Sequence, residues 1–162
     1  MSTIRDYLAQ RGTEAEELAH PPTHTAMAEA ARVGVPPGEV AKTLVLNAND
    51  GHALAVIPAS ERLDMRLVHR AVGDAHARLA SEEELQRDYP DYELGALPPL
   101  GSLLHAPVYV DPSVMEHDTI VFAAGRADTS LRVRTEDLFR DEAPVVTPLI
   151  RQADDKEREL LG

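Results

Sequence analysis

The strongest constraint on what this chain can fold into is a pair of apolar runs, Val40 to Leu46 and His52 to Ile57, separated by Asn49-Asp50-Gly51. Asparagine, aspartate and glycine tolerate the positive φ angles of a tight strand reversal, so the segment predicts a β-hairpin. Alternation along its first strand puts Val40, Lys42, Leu44 and Leu46 on one face. Lysine occurs only twice in 162 residues, against fourteen arginines, and Lys42 is the only one before the charged C-terminal stretch. Its ammonium leaves the backbone among aliphatic neighbours and either reaches water at an edge or points into a pocket.

The elements around the hairpin follow from breakers and caps. A short amphipathic helix is expected from about Thr3 to Arg11, capped by Ser2 or Thr3 and stopped by Gly12. An extended piece from Glu16 to His20 runs into Pro21-Pro22, which forbid a helix. A second helix spans about Thr25 to Val33 with Gly34 as its cap, and Pro36-Pro37-Gly38 turns the chain into the Lys42 strand. Further helices are expected at Asp64 to Val72, at Ser81 to Tyr89 with Glu84 completing a capping box, and from Thr135. Further strands are expected at Ala77 to Leu79, Pro107 to Asp111, Thr119 to Ala124 and Ser130 to Arg134. Gly95, Pro98, Pro99 and Gly101 put too many breakers into Pro90 to Leu104 for a regular element. Hairpin-linked strands interleaved with helices predict an α+β domain with a mixed, largely antiparallel central sheet, barrel-like and wrapped by helices. One domain is expected over 1–147, with 148–162 as a charged tail, a frayed helix or disordered.

Composition removes several functions. There is no cysteine, hence no disulfide, thiolate metal site or cysteine nucleophile. Aromatics are 4% with no tryptophan, too few for a base-stacking platform. The net charge of -12 argues against broad polyanion binding, and no DNA partner is expected. The N-terminus lacks a signal-peptide pattern and no stretch reaches membrane-spanning length, so a cytoplasmic protein without membrane contact is expected. Charge is uneven: Ser81 to Glu93 carries six acidic residues and one arginine, whereas Arg62, Arg66 and Arg70 recur every four residues and would form one stripe on a helix. Such a stripe is either an ordinary solvated face or a means of steering one anion. Dinucleotide, P-loop and serine-hydrolase motifs are absent, and His20 and His24 read as loop histidines near prolines rather than metal ligands, so neither metal nor cofactor is expected. The loop Gly95-Ala96-Leu97-Pro98-Pro99-Leu100-Gly101 is either a rigid connector or a backbone array able to hold a carbonyl or a water. Gly125, with Asp128, Thr129 and Ser130 just after it, poses the same choice.

Several short motifs together resemble one family. They are Thr25-Ala26 entering a helix, Val40-Ala41-Lys42-Thr43-Leu44-Val45, Pro58-Ala59 followed by Leu63-Asp64, the Gly-x-x-x-Pro loop from Gly95 to Pro99, and Ala124-Gly125 with Asp137-Leu138 downstream. In order and spacing, over roughly residues 16 to 140, they resemble the YbaK/prolyl-tRNA-synthetase editing-domain family. The resemblance implies a mixed sheet wrapped by helices and trans-editing hydrolysis of mischarged aminoacyl-tRNA bearing a small amino acid. It implies the aminoacyl-tRNA acceptor end as partner, with an aminoacyl-tRNA synthetase as a second. It also implies that Lys42 anchors the terminal adenosine phosphate or polarises the ester, that the ester lies against Gly95, Pro99 and Gly101, and that water attacks with help from a free ribose hydroxyl. Thr25, Gly125, Asp128, Thr129, Arg66 and Arg70 are then substrate-binding candidates. The chain departs from the family's pattern at His24, often a tyrosine, and at Ala123 and Arg126-Ala127-Asp128, where an asparagine and a histidine are common. These departures bear on which side chain is accepted. Two other functions remain open on the same fold: a catalytically silent module that binds tRNA or a synthetase, and a small-molecule or nucleotide-binding protein.

Overall fold

In the computed structural model, which describes residues 3–152, the hairpin forms as the sequence predicts. Asn49 and Asp50 take φ of 52° and 63°, the pair of positive values that matches a two-residue reversal to the twist of its strands. In chain order the elements are α1 (Thr3–Gln10), β1 (Ala15–Ala19), α2 (Ala26–Val33), β2 (Ala41–Ala48), β3 (Gly51–Pro58), α3 (Met65–Val72), β4 (Arg78–Leu79), α4 (Glu82–Asp88), α5 (Gly101–Leu104), β5 (Val108–Val110), α6 (Pro112–Met115), β6 (Thr119–Arg126), β7 (Thr129–Arg134), α7 (Thr135–Arg140) and β8 (Val145–Val146). The caps are those the sequence suggests: the Thr25 hydroxyl accepts from Ala28 N, Gly34 is left-handed, and Ser81 and Glu84 form a reciprocal capping box. Ser2, the other cap proposed for α1, lies outside the described residues.

The strands form an α+β arrangement, but not a barrel. An antiparallel sheet of order β1-β7-β6 stands beside a mixed sheet of order β4-β2-β3-β5-β8, in which β3, β5 and β8 run parallel. The two sheets meet at an isolated parallel bridge between Val40 and Val121. That bridge is too short to close one continuous cylinder, so the barrel-like expectation gives way to two packed sheets. The main core fills the space between them: Leu54 and Val56 of β3, Ile120 and Phe122 of β6, and Leu131 and Val133 of β7 meet Leu8 of α1 and Leu138 of α7. The opposite face of the larger sheet, with Leu46, Ala55 and Ile57, is covered by Val68 and Val72 of α3. Phe122 is fully buried at the centre of the main core. Phe122→Ala is therefore expected to cost about 3–5 kcal/mol, read as a lowered urea midpoint with an unchanged slope.

Three sequence expectations change. The Pro90 to Leu104 segment contains a helical turn, α5, because Gly101 lets it pack directly on β5. The short elements α6 and β8 were not foreseen. Folded structure also continues past residue 147: Leu149 is buried, its N–H donates to Asp111 at 2.8 Å, and Leu63 bridges Ile150. The buried carboxylate of Asp111 caps α6 through Ser113 N as well, and so ties this stretch to the sheet. The remainder of the proposed tail lies outside the described residues. Among the described residues no helix is long and apolar enough to cross a membrane.

Candidate functional site

Lys42 enters from β2 opposite Ile57, half-buried. After β3 the chain turns at Pro58 to Glu61 and comes back alongside β2, where Ala59 N donates to Val40 O at 2.8 Å. The Lys42 ammonium donates to Ala59 O at 3.4 Å, a carbonyl rather than a carboxylate. Burial pushes its pKa below the ordinary lysine value, Arg62 pushes it further the same way, and Glu61 partly opposes them. Ala59 joins an apolar cluster with Val40, Val121 and Ala30 of α2, against which Ala26 packs. Lys42 therefore sits where the two sheets and α2 converge. Its neighbour Thr43 has a buried hydroxyl without a hydrogen-bond partner.

A second group of residues is joined through the main chain. Gly125 N donates to Ala96 O at 2.8 Å and Gly125 O accepts from Glu93 N at 2.9 Å, so the Gly95 loop and the β6–β7 reversal form one unit. The β6–β7 register shifts between Ala123 and Arg126, and this bulge turns the Gly125 peptide out of the ladder toward the loop. Glycine is required at both contacts. Gly95 has φ of 80° and a Cβ there would stand 3.0 Å from His24 O, while Gly125 has φ of 88° against Tyr92 and Ile4. The Glu93 carboxylate adds a bond from Ala127 N at 2.9 Å. On the other side, His20 N donates to Asp128 O and Thr23 N to Ala127 O, which brings the start of α2 and Thr25 to the same place.

Within the loop, Pro98 and Pro99 carry no N–H and that of Ala96 is bonded to Glu93 O. Among the described hydrogen bonds the N–H groups of Gly95, Leu97 and Leu100 have no partner. Ala96 to Leu100 are all buried, with Pro99 among them. Gly101 differs from the others: a Cβ there would stand 2.2 Å from Ala106 O, so its bareness serves the packing of α5 on β5.

The remaining sequence candidates divide. Thr25 caps α2 with its hydroxyl, and the Thr129 hydroxyl donates to Asp128 at 2.9 Å, which with Arg126 holds the Asp128 carboxyl below its ordinary value. Arg66 and Arg70 lie on α3, where Arg66 folds back onto the Asp64 cap. The helix begins at Met65, so the expected three-arginine stripe is broken and Arg62 instead stands beside Lys42. Sequence reasoning did not single out Arg62 or Glu93 as site residues. Glu93 had been counted only within the acidic run, yet Glu84, Asp88 and Glu93 of that run bind Arg78, His52 and Ala127 N respectively. An open cleft of about 460 Å³, lined by His24, Tyr92, Glu93 and Leu94, lies at the His24–Gly95 contact.

A family model described as the aminoacyl-tRNA editing domain matches residues 20–140. The chain is 28% identical over 151 residues to the multifunctional Ser/Thr-tRNA deacylase ProXp-y of Escherichia coli K12, covering 90% of each. It is 26% identical over 105 residues to a candidate Cys-tRNA(Pro)/Cys-tRNA(Cys) deacylase, EbsC of Enterococcus faecalis, covering 64% of this chain and 63% of that one. Among solved structures, hypothetical protein APE2540 superposes with a TM-score of 0.83 at 25% identity, over 91% of this chain and 99% of that one. A candidate trans-editing enzyme for prolyl-tRNA synthetase gives 0.79 at 25% identity, over 92% and 95%.

Proposed function

Since the chain belongs to the aminoacyl-tRNA editing domain family, we propose that it is a deacylase acting in trans on tRNA mischarged with a small amino acid. The observation that supports this reading is a half-buried cation, Lys42, at the junction of the two sheets and α2, the helix whose leading segment is tied to the backbone unit of Gly95 and Gly125. A synthetase pocket distinguishes small side chains by only about 1–3 kcal/mol, so a second site that destroys the error is needed. The serine- and cysteine-related activities of the relatives are consistent with small substrates.

In this reading the Lys42 ammonium holds the terminal adenosine phosphate or polarises the ester carbonyl. Leu97 and Leu100 N–H stabilise the oxyanion as the ester carbon becomes tetrahedral. The hydroxyls around the Gly125 reversal are engaged elsewhere: that of Thr25 caps a helix, that of Thr129 donates to Asp128, and that of Ser130 is bonded to Glu29. Water attacks instead, and a free 2′ or 3′ ribose hydroxyl relays its proton to the leaving oxygen. Gly125 and the His24–Thr25 segment border the aminoacyl side chain. The net charge of -12 disfavours unaided capture of tRNA and supports delivery by an aminoacyl-tRNA synthetase.

The test is a panel of tRNAs charged with serine, threonine, alanine, cysteine and phenylalanine. At least one of the small esters is expected to be hydrolysed well above its spontaneous rate, and the phenylalanyl ester left intact. If every ester survives while tRNA still binds, the chain is instead a silent accessory module.

A further inference from the structure

Behind the site, three polar side chains from three segments meet, two in the interior and one, His20, partly exposed at its edge. Glu29 of α2 is 4% exposed, Ser130 of β7 is fully buried, and His20 precedes the Pro21-Pro22 segment that leads to Thr25. His20 Nδ1 stands 2.8 Å from Pro21 O, His20 Nε2 stands 2.9 Å from Ser130 Oγ, and Ser130 Oγ is bonded to the Glu29 carboxyl. The partners define how many protons these bonds need. The Pro21 carbonyl can only accept, so Nδ1 carries a proton. A neutral imidazole has then spent its single proton, and Ser130 has one hydrogen for two bonds. A carboxylate brings none. The arrangement is one proton short unless His20 is doubly protonated or Glu29 is a carboxylic acid.

We propose that His20, Ser130 and Glu29 share this extra proton as a net-neutral positioning unit, which fixes the start of α2 against the Gly125–Ser130 reversal. The positioning role rests on the deacylase reading; the proton count does not. Burial pushes the Glu29 carboxyl above its ordinary value, with the Ser130 bond and His20 opposing, which suits a retained proton. His20 is the ionisable group that acts on it. The strand partners of Ser130, Leu18 on β1 and Ala123 on β6, are apolar. On the adjoining turn Arg126 and Asp128 pair with each other at 3.5 Å. The unit works with the backbone bonds from His20 N to Asp128 O and from Thr23 N to Ala127 O, so three separate ties hold the wall in one place.

The sign of the pH dependence follows. The unfolded chain keeps one proton on His20 up to the ordinary imidazole range and loses it above that range, whereas the folded unit retains its shared proton to higher pH, so stability falls as pH rises from the imidazole range through the folded value. Glutamine mimics the protonated acid: its amide N–H donates to Ser130 Oγ, Ser130 donates to His20 Nε2, and no shared proton remains to be lost on the alkaline side. Thermal midpoints of wild type and Glu29→Gln measured across pH are expected to diverge, the wild type losing stability on the alkaline side while the variant stays flatter. Nitrogen and carboxyl-carbon NMR shifts at neutral pH should show either an imidazolium His20 or a protonated Glu29. Parallel midpoint curves, or a neutral ring beside a carboxylate, would overturn the proposal. For catalysis, Glu29→Ala is expected to lower kcat/KM by about 10- to 100-fold, chiefly through KM, with Glu29→Gln restoring it. Unchanged kcat/KM in Glu29→Ala would sink the positioning role even where the proton count holds. If the chain deacylates nothing, the midpoint curves and NMR shifts still test the unit.

Discussion

Lys42→Ala is expected to lower kcat/KM for deacylation by on the order of 100-fold or more while leaving the fold intact, because one positioned donor to developing charge is worth that much. The fold is spared because the ammonium makes one long bond, to Ala59 O, and the side chain is only partly buried. Circular dichroism and the urea midpoint should therefore match wild type, and the loss should appear in single-turnover hydrolysis. The lowered pKa adds a second signature. A lysine is charged below its pKa, so a reaction that needs the ammonium should lose its enzymatic part, after subtraction of spontaneous ester hydrolysis, at a lower pH than an ordinary lysine would dictate. Lys42→Arg keeps a charge at every working pH, so its residual activity should lack that alkaline fall, although the wider guanidinium fits the Ala59 turn poorly. Equal hydrolysis by wild type and Lys42→Ala would remove the cation from the mechanism.

The second large effect is purely structural. Gly101→Ala places a methyl carbon 2.2 Å from Ala106 O and 2.5 Å from a Val108 methyl, and the nearer atom belongs to the backbone and cannot swing away. Relief requires α5 to lift from β5, which uncovers Leu104 and loosens Leu100 at the end of the Gly-x-x-x-Pro loop. A destabilisation of about 3 kcal/mol or more is expected, at the upper end of overpacking effects. Gly51→Ala is the control, since nothing lies within 4 Å of its added methyl. Its urea midpoint should stay close to wild type. Loss of activity in Gly101→Ala in proportion to the unfolded fraction would mark this glycine as a packing residue; loss from a fully folded protein would return it to the catalytic loop.

What could be read from the residues depended on how local the cause was. The Asn49-Asp50 reversal, the Thr25 and Ser81 caps and the Gly34 and Gly73 stops act within four residues, and their signals are complete in the sequence. The division into two sheets is not local: β1 pairs with β7 more than a hundred residues away, and a strand's alternation does not name its partner. The β8 strand is two exposed valines, which carry no pattern. The α6 signal was present in Asp111-Pro112-Ser113, a cap followed by proline at the first helical position, but a four-residue helix gives no periodicity to support it. The site followed the same rule. Order and spacing of the motifs made Lys42, Gly95 and Gly125 candidates, whereas the effect of Arg62 on Lys42 and the bond from Ala127 N to Glu93 depend on turns that bring distant residues together. Glu29 sits in an Ala-rich helix where a lone carboxylate ordinarily faces water; its burial is visible only once Ser130 and His20 stand against it.

The two sheets share a rung at Val40 and Val121, and the candidate site straddles it. Lys42 belongs to one sheet, Gly125 and the residues after it to the other. The two halves are therefore separable: under the proposed function, substitutions in the reversal after Gly125 can reshape the pocket for the amino acid without moving the strand that carries Lys42.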